Sequence, residues 1–179
     1  KGKIQRFSCK HDCYYCPNEP GVPRSYLTLE PGVYRSKAHE WDAVNSFRSR
    51  AYMYLVQGHP LDKIELLVLG GTWSEYPLSY QRQFVTELFY AANTFYDAIP
   101  RRKMKSLREE QRINETTRVR IIGLTLETRP DAVNWEELAR MREYGCTRVQ
   151  IGVQHTNDEI LKRVNRGCYR EDTVRAMKM

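Results

Sequence analysis

Three cysteines fall in the run Cys9-Lys10-His11-Asp12-Cys13-Tyr14-Tyr15-Cys16. A C-x3-C-x2-C spacing on one tight loop can present three thiolates to three irons of a [4Fe–4S] cube. The fourth iron then lacks a protein ligand and is open to a small molecule. S-adenosylmethionine (SAM) can chelate that iron through its amino and carboxylate groups. One electron from the cluster then cleaves the sulfonium and releases a 5′-deoxyadenosyl radical, chemistry that belongs to the cofactor while the protein supplies position and excludes water. Two other uses of the thiols compete. Cys9, His11, Cys13 and Cys16 could form a Cys3His zinc site, although two ligands separated by a single residue fit tetrahedral zinc poorly. They could also be structural thiols. With 179 residues and five cysteines, an odd number, the chain does not need disulfide staples, which points to metal binding in a reducing compartment, the cytoplasm.

Such a loop needs a scaffold, and hydrophobic periodicity supplies one. Ile64 to Leu69 is nearly all apolar and stops at Gly70-Gly71, as a strand buried on both faces does. Val119 to Leu126 reads the same way, and Thr147 to Val153 alternates, with Val149, Ile151 and Val153 on one side. Lys3 to Phe7 is a weak, short strand leading into the cysteines. Four amphipathic helices intervene or follow. Val44, Phe47, Ala51 and Leu55 mark the first, ended by Gly58. Phe84, Leu88 and Phe95 mark the second. Trp135, Leu138 and Met141 mark the third, opened by Asn134 with Glu137 three residues on and closed by Gly145. Ile160, Leu161 and Val164 mark the fourth, opened by Asn157 or Asp158. Repeated strand–helix units imply an α/β fold with a parallel sheet.

In such folds ligands bind at the carboxyl ends of the strands. Gly70-Gly71-Thr72 follows one strand, where glycines let the backbone approach a ligand; a bare Gly-Gly is also a common turn. Glu127 closes the next, where a carboxylate could hold an ammonium or a ribose hydroxyl, or could simply pair with Arg129. Gln154 closes the last, suited to a ribose or carboxylate, or to satisfying a strand end. Three such residues at consecutive strand ends, beside the cysteine loop, converge on one site.

The composition is 41% hydrophobic and 28% charged, a globular balance. No apolar stretch reaches the ~20 residues of a membrane helix, and no secretory signal is expected. The net charge of +7 and a pI near 9.2 favour an anionic partner such as nucleic acid. Residues 101–120 supply most of that excess, with Arg101, Arg102, Lys103, Lys105, Arg108, Arg112, Arg118 and Arg120 against Glu109, Glu110 and Glu115. The run reads either as a solvated helix or loop or as a phosphate-contacting surface.

The cysteine triplet with Tyr15 before its last member resembles the radical SAM superfamily. Longer strings narrow the likeness: Asp62 to Trp73, Leu124 to Asp131, Tyr144 to Gln154, and Asn165-Arg166-Gly167. Together they resemble the radical SAM domain of the Elongator catalytic subunits, enzymes that modify the wobble uridine of tRNA. The resemblance implies an incomplete barrel with about four of six βα units over residues 1–179, a cluster loop at 8–17 and a basic insertion at 101–120. It implies carboxymethylation at C5 of uridine 34, with acetyl-CoA as carbon donor and SAM as radical source. The adenosyl radical would abstract hydrogen from the acetyl methyl group, and the carbon radical would add to an unstacked base.

Carried over by motif, Cys9, Cys13 and Cys16 would ligate the cluster, and Tyr15, Gly70, Gly71, Thr72, Glu127 and Gln154 would line the SAM pocket. Lys63 matches a lysine associated with acetyl-CoA, though on residues alone it reads as a solvated lysine before a strand. Tyr15, Tyr26 and Tyr34 could stack on the base. Arg35, Arg48, Arg50, Arg101, Arg102, Lys103 and Lys105 are the candidate tRNA contacts, and other Elongator subunits are candidate partners. A radical SAM enzyme acting on another RNA base or a small molecule, and a non-catalytic tRNA-binding scaffold, are the alternatives.

The chain departs from the family pattern at three places. Asn18-Glu19 stands where the family usually has Gly-Gly, Thr28 replaces a glycine, and Cys168 follows Asn-Arg-Gly where a histidine is frequent. The sequence ends inside the charged stretch Arg170 to Met179, so further strands, a zinc-binding region and an acetyltransferase-like domain are expected outside it. Residues 1–179 alone are expected to be unstable or inactive.

Overall fold

A computed structural model describes residues 8–22, 24–99 and 101–179; the weak strand expected at Lys3 to Phe7 lies outside them. Three strands, β1 (Lys63–Val68), β2 (Arg120–Thr128) and β3 (Arg148–Ile151), form a parallel sheet in the order β1-β2-β3. Lys63 pairs with Arg120, and Thr125 and Thr128 pair with Arg148 and Ile151. Ile64 opposes Ile121 but Glu65 opposes Gly123. Ile122 is the extra residue of a bulge, which adds local twist at the strand's start.

Helices α1 (Pro31–Ala38) and α2 (Ala43–Val56) precede β1. Between β1 and β2 lie α3 (Leu78–Asn93) and α4 (Leu107–Asn114), between β2 and β3 lies α5 (Trp135–Glu143), and α6 (Asp158–Arg163) and α7 (Arg170–Lys178) follow. The sequence supplies the caps. Asp42 accepts from Asn45 N at 2.7 Å, Asn134 from Glu137 N at 2.9 Å and Asn157 from Glu159 N at 2.9 Å, each satisfying an otherwise orphaned first-turn donor. Gly58 and Gly145, both at φ +86°, follow the ends of α2 and α5 in the left-handed conformation that lets the chain leave a helix.

One face of the sheet is covered. Leu124, Leu126, Trp73, Val85, Phe89, Met141, Tyr144 and Cys146 form one buried cluster, with Leu66 and Val68 packed on it. Ala43, Phe47, Ala51, Leu61, Leu88, Ala91, Ala92 and Val119 form a second, which Ile64 also joins. The opposite side of β1 carries exposed Glu65 and Leu67. The expectation of a strand buried on both faces at Ile64 to Leu69 is therefore met on one face only, the one on which residues of α2, α3, α4 and α5 pack.

Four local expectations shift. Phe95 lies beyond α3, whose buried face is Gln81, Val85, Leu88, Phe89 and Ala92. β3 stops at Ile151, so Gln154 sits three residues past the strand in a loop. α1 has no counterpart in the sequence reading, since Val33 is its one buried residue. Glu137 does not close a capping box with Asn134; its carboxylate, nearly buried, takes Ser74 Oγ at 2.7 Å and Arg140 Nη2 at 2.6 Å.

The basic stretch is folded back on the protein in part: Arg101, Arg102 and Arg120 are half-buried, whereas Lys103, Lys105, Arg108, Arg112 and Arg118 are exposed. Ser106 and Glu109 form a capping box at the start of α4. Glu110 has no exposed surface, and Arg102 grips it with two donors at 2.6 and 2.7 Å. Asn93 Nδ2 and Lys105 N, both at 2.8 Å, satisfy its remaining lone pairs. Burial alone would raise the Glu110 carboxyl, but these donors outweigh it and hold it below the usual glutamate range. The paired state is complete above that range and is lost as pH falls through the lowered pKa. Glu110→Gln is expected to cost about 3 kcal/mol in urea unfolding, the lower end for a buried pair because Arg102 keeps 30% of its side chain in solvent. The variant's stability should also lose this part of its acid dependence.

Candidate metal centre at the carboxyl end of the sheet

The cysteine loop is held by backbone bonds to the far end of the chain. Tyr14 N donates to Val164 O at 3.0 Å and Asn165 Nδ2 to Asp12 O at 2.7 Å. Within the loop Cys16 N donates to Cys13 O at 3.0 Å, and just past it Ser25 N reaches Pro17 O at 3.0 Å.

Each thiol meets a different element. Cys9 Sγ lies 3.4 Å from Thr72 Oγ1, in the turn after β1. Cys16 Sγ accepts from Ser25 Oγ at 3.2 Å. Cys13, only 3% exposed, accepts from Arg129 Nη1 at 3.6 Å, past the end of β2, and from Arg166 Nη1 at 3.8 Å, past α6. Arg166 also donates to Gly152 O at 2.6 Å, in the turn after β3. The turns after all three strands are thus tied, directly or through one arginine, to the cysteine loop.

The electrostatics favour anionic sulfur. Burial acts to raise the Cys13 thiol, but hydrogen bonds from Arg166 and Tyr15 and the charges of both arginines outweigh it and lower it. Burial raises Cys146 and Cys168, which keeps them as unreactive thiols. Burial also raises Tyr15, and it raises Glu127 against the opposing pull of the Arg166 charge. Tyr26 is pushed up to about 12, first by burial and then by the Glu127 carboxylate.

The donor set suits an iron–sulfur cluster. Thiolates are its ordinary ligands, and each takes a different iron, so the sulfurs stand at separate corners rather than on one ion. The five cysteines are free, and among the described residues no three His, Cys, Asp or Glu side chains converge on a single-ion site. His11, the fourth donor of the zinc alternative, faces Glu75 at 3.3 Å. Soft thiolates on separate anchors, with two arginines to offset their charge, fit a cube better than one tetrahedral ion.

Of the other residues singled out in the sequence, Gly70, Gly71, Thr72, Glu127 and Gln154 all lie at this end of the sheet. Thr72 is buried and bonds Gly71 O at 2.7 Å. Gly71 is a close approach, since a Cβ there would stand 2.9 Å from Ser25 Oγ and 3.2 Å from Arg24 O. Gln154 is exposed, in a left-handed conformation at φ +66°, with its Nε2 over Gly152. Glu127 does not take Arg129 as partner; Arg129 instead chelates Asp131 at 2.9 and 3.1 Å.

The remaining candidates are not brought here. Lys63 is exposed at the amino end of β1, a strand of six residues or roughly 20 Å from the turn that carries Gly71. Arg35 and Tyr34 are exposed on α1. Arg48 bonds Thr94 Oγ1 at 2.8 Å, Arg50 stacks 4.3 Å over the Tyr54 ring and Arg101 Nε bonds Thr94 O at 3.0 Å. With Arg102 on Glu110, only Lys103 and Lys105 of the 101–105 candidates are left with exposed side chains. The sequence reading passed over Ser25, Arg129 and Arg166. Both arginines stand inside the quoted strings, but their partner is a cysteine more than 100 residues away.

The sequence pattern of the radical SAM superfamily matches residues 7–179. The tRNA uridine(34) acetyltransferase of Dehalococcoides mccartyi is 38% identical over 168 residues, which is 94% of this chain and 35% of that protein. The Elongator complex protein 3 of Drosophila melanogaster is 34% identical over 170 residues, 92% of this chain and 29% of that protein. Among solved structures, the archaeal Methanocaldococcus infernus Elp3 with an N-terminal deletion superposes with a TM-score of 0.72 at 39% identity, covering 79% of this chain and 32% of that one. The chain therefore spans about a third of the length of these relatives.

Gly71→Ala is the informative variant at this site. The added methyl must displace the Ser25 hydroxyl, and with it the bond to Cys16, and it presses on Arg24 O. Iron bound per chain after anaerobic reconstitution is expected to fall well below that of the unmodified protein, while far-ultraviolet circular dichroism stays the same.

Proposed function

The chain belongs to the radical SAM superfamily, and on that premise we propose that it is the cluster-bearing part of a transferase that carboxymethylates C5 of the wobble uridine of tRNA, with acetyl-CoA as carbon donor. The observation that carries the reading is the placement of three separately anchored thiols at the sheet end that also carries Thr72, Glu127 and Gln154. That placement occurs in a chain whose relatives are named tRNA uridine(34) acetyltransferase.

Cys9, Cys13 and Cys16 would hold the [4Fe–4S] cluster, which with SAM on its remaining iron supplies the 5′-deoxyadenosyl radical. The rest is positioning by this chain. Gly71 lets the 24–25 backbone close over the site. Thr72 and Ser25 hold Cys9 and Cys16 in place. Glu127 presents a half-buried carboxyl suited to an ammonium or a ribose hydroxyl, and Gln154 an exposed amide suited to a ribose or carboxylate. Tyr15, Tyr26 and Tyr34 offer aromatic faces on the same side of the sequence, between residues 15 and 34, for an unstacked base.

For tRNA, the free side chains of Arg35, Lys103 and Lys105 are the better phosphate contacts; Arg48, Arg50, Arg101 and Arg102 are spent on protein partners. Lys63 as an acetyl-CoA residue rests on the resemblance of its string alone. Other Elongator subunits as partners are supported by the name of the Drosophila relative, and a reducing compartment by the free thiols. No helix among the described residues is long and apolar enough to cross a membrane.

Anaerobic assay of the full-length protein for tRNA-dependent 5′-deoxyadenosine, with and without acetyl-CoA, tests the proposal. Formation that requires tRNA is expected, and Cys13→Ala should abolish it along with the bound iron, about four per chain. Product formed equally without tRNA would point to another substrate, and none from a fully loaded protein to a scaffold. Lys103→Ala with Lys105→Ala is expected to flatten the dependence of log affinity for tRNA on log salt by about one to two, whereas Arg102→Ala should act through stability.

A further inference from the structure

Arg129 and Arg166 are 1% and 5% exposed, and two buried guanidiniums require compensating anions. Arg129 spends Nε and Nη2 on Asp131 and Nη2 also on Arg166 O at 2.8 Å, which leaves Nη1 directed at Cys13 Sγ. Arg166 spends Nη2 on Gly152 O and directs Nη1 at the same sulfur. Its Nε is buried with no hydrogen-bond partner. Asp131 is the one carboxylate in ion-pair contact with the two arginines among the described residues. Two positive charges thus face the Asp131 carboxylate and one cysteine sulfur at contact distance, with the Glu127 carboxyl within range of the Arg166 charge. Cys9 and Cys16 differ: each is met by a neutral hydroxyl, from Thr72 and Ser25.

We infer that Arg129 and Arg166 set the reduction potential of the cluster through the sulfur of Cys13. Reduction adds one electron, taken from an external reductant, and so adds one negative charge at the cluster. N–H···S hydrogen bonds and a surplus buried positive charge favour that more negative state and raise the potential. The asymmetry is built in, because one of the three ligands carries all the charged donors. Both arginines are positioning residues: they touch a ligand and act through it.

This rests on Cys9, Cys13 and Cys16 as cluster ligands and not on the tRNA reading. The full-length protein is reconstituted anaerobically as wild type, Arg166→Gln, Arg166→Lys and Arg129→Lys. Midpoint potentials are read by electron paramagnetic resonance during titration with dithionite, at matched iron content. Arg166→Gln is expected to lower the reduced-to-oxidised ratio at fixed potential about tenfold, a fall of ~59 mV for a one-electron couple. The two lysine variants keep the charge but lose the forked donor, and smaller falls are expected. Equal midpoints in every variant that loads iron would overturn the inference. So would failure of all three to load, which would assign the pair to assembly of the site. A wild type without bound iron would overturn the cluster reading itself, so the two failures are distinguishable.

Discussion

The burial of Cys13 under two guanidiniums is the constraint on which the rest of this structure turns. A loop of mostly exposed, polar residues has little apolar surface with which to dock. Cys13 is its buried residue, and what surrounds it is charge: Arg129 from the end of β2 and Arg166 from the turn after α6. Burying these side chains is favourable only if their donors find acceptors. Asp131, Gly152 O, Arg166 O and the Cys13 sulfur accept from every guanidinium nitrogen but Arg166 Nε, and those acceptors lie on four different segments. Satisfying two side chains therefore fixes the loop, the carboxyl ends of β2 and β3 and the Asn165-Arg166-Gly167 turn relative to one another.

The three departures from the family pattern find a physical account in this frame. Glu19 and Thr28, each where a glycine is usual, are bonded to each other. Thr28 N donates to one Glu19 carboxylate oxygen at 2.7 Å and the Thr28 hydroxyl donates to the other. Those bonds hold Glu19 below the usual carboxylate range. Two side chains here do by hydrogen bonding what backbone freedom would otherwise allow, pinning the segment that follows Cys16. Cys168 is buried at 2% beside Arg166 and Arg129. It is a small apolar filler with a weak donor, where a second titratable cation beside two arginines would be costly. Of these changes Cys168 is the one that touches a thiol anchor, through its side-chain hydrogen bond with Arg166.

How far the sequence could be read follows from the range of the interactions. The three strands and helices α2, α5 and α6 rest on apolar spacing, on caps at Asn134 and Asn157 and on the stop at Gly58, all local, and they were legible. The placement of Gly71, Thr72, Glu127 and Gln154 at the sheet end that carries the cysteine loop was legible as well, because parallel topology places strand ends together. α1 was not, since one buried valine leaves no periodic trace. The basic stretch read either as a solvated helix or loop or as a surface for phosphates. Two of its arginines, Arg101 and Arg102, answer instead to Thr94 and Glu110, whose burial is a property of the folded chain. Arg129 and Arg166 were passed over for the same reason, as their shared acceptor lies 116 and 153 residues away.

Distance in sequence also bears on what kind of site this is. Cys9 and Cys16 are each anchored by a single neutral hydroxyl, whereas Cys13 is anchored by arginines from the segments that follow β2 and α6. A ligand set held this way is not preassembled by its own loop; it forms only when β1, β2 and the turn after α6 have come together. Thiolate repulsion would oppose that closure, and the arginine pair opposes the repulsion at the one sulfur that is buried from solvent. Folding of the parallel sheet and formation of the thiol triad are in this sense one event. Around them Gln154 and Tyr14 stay exposed at the surface.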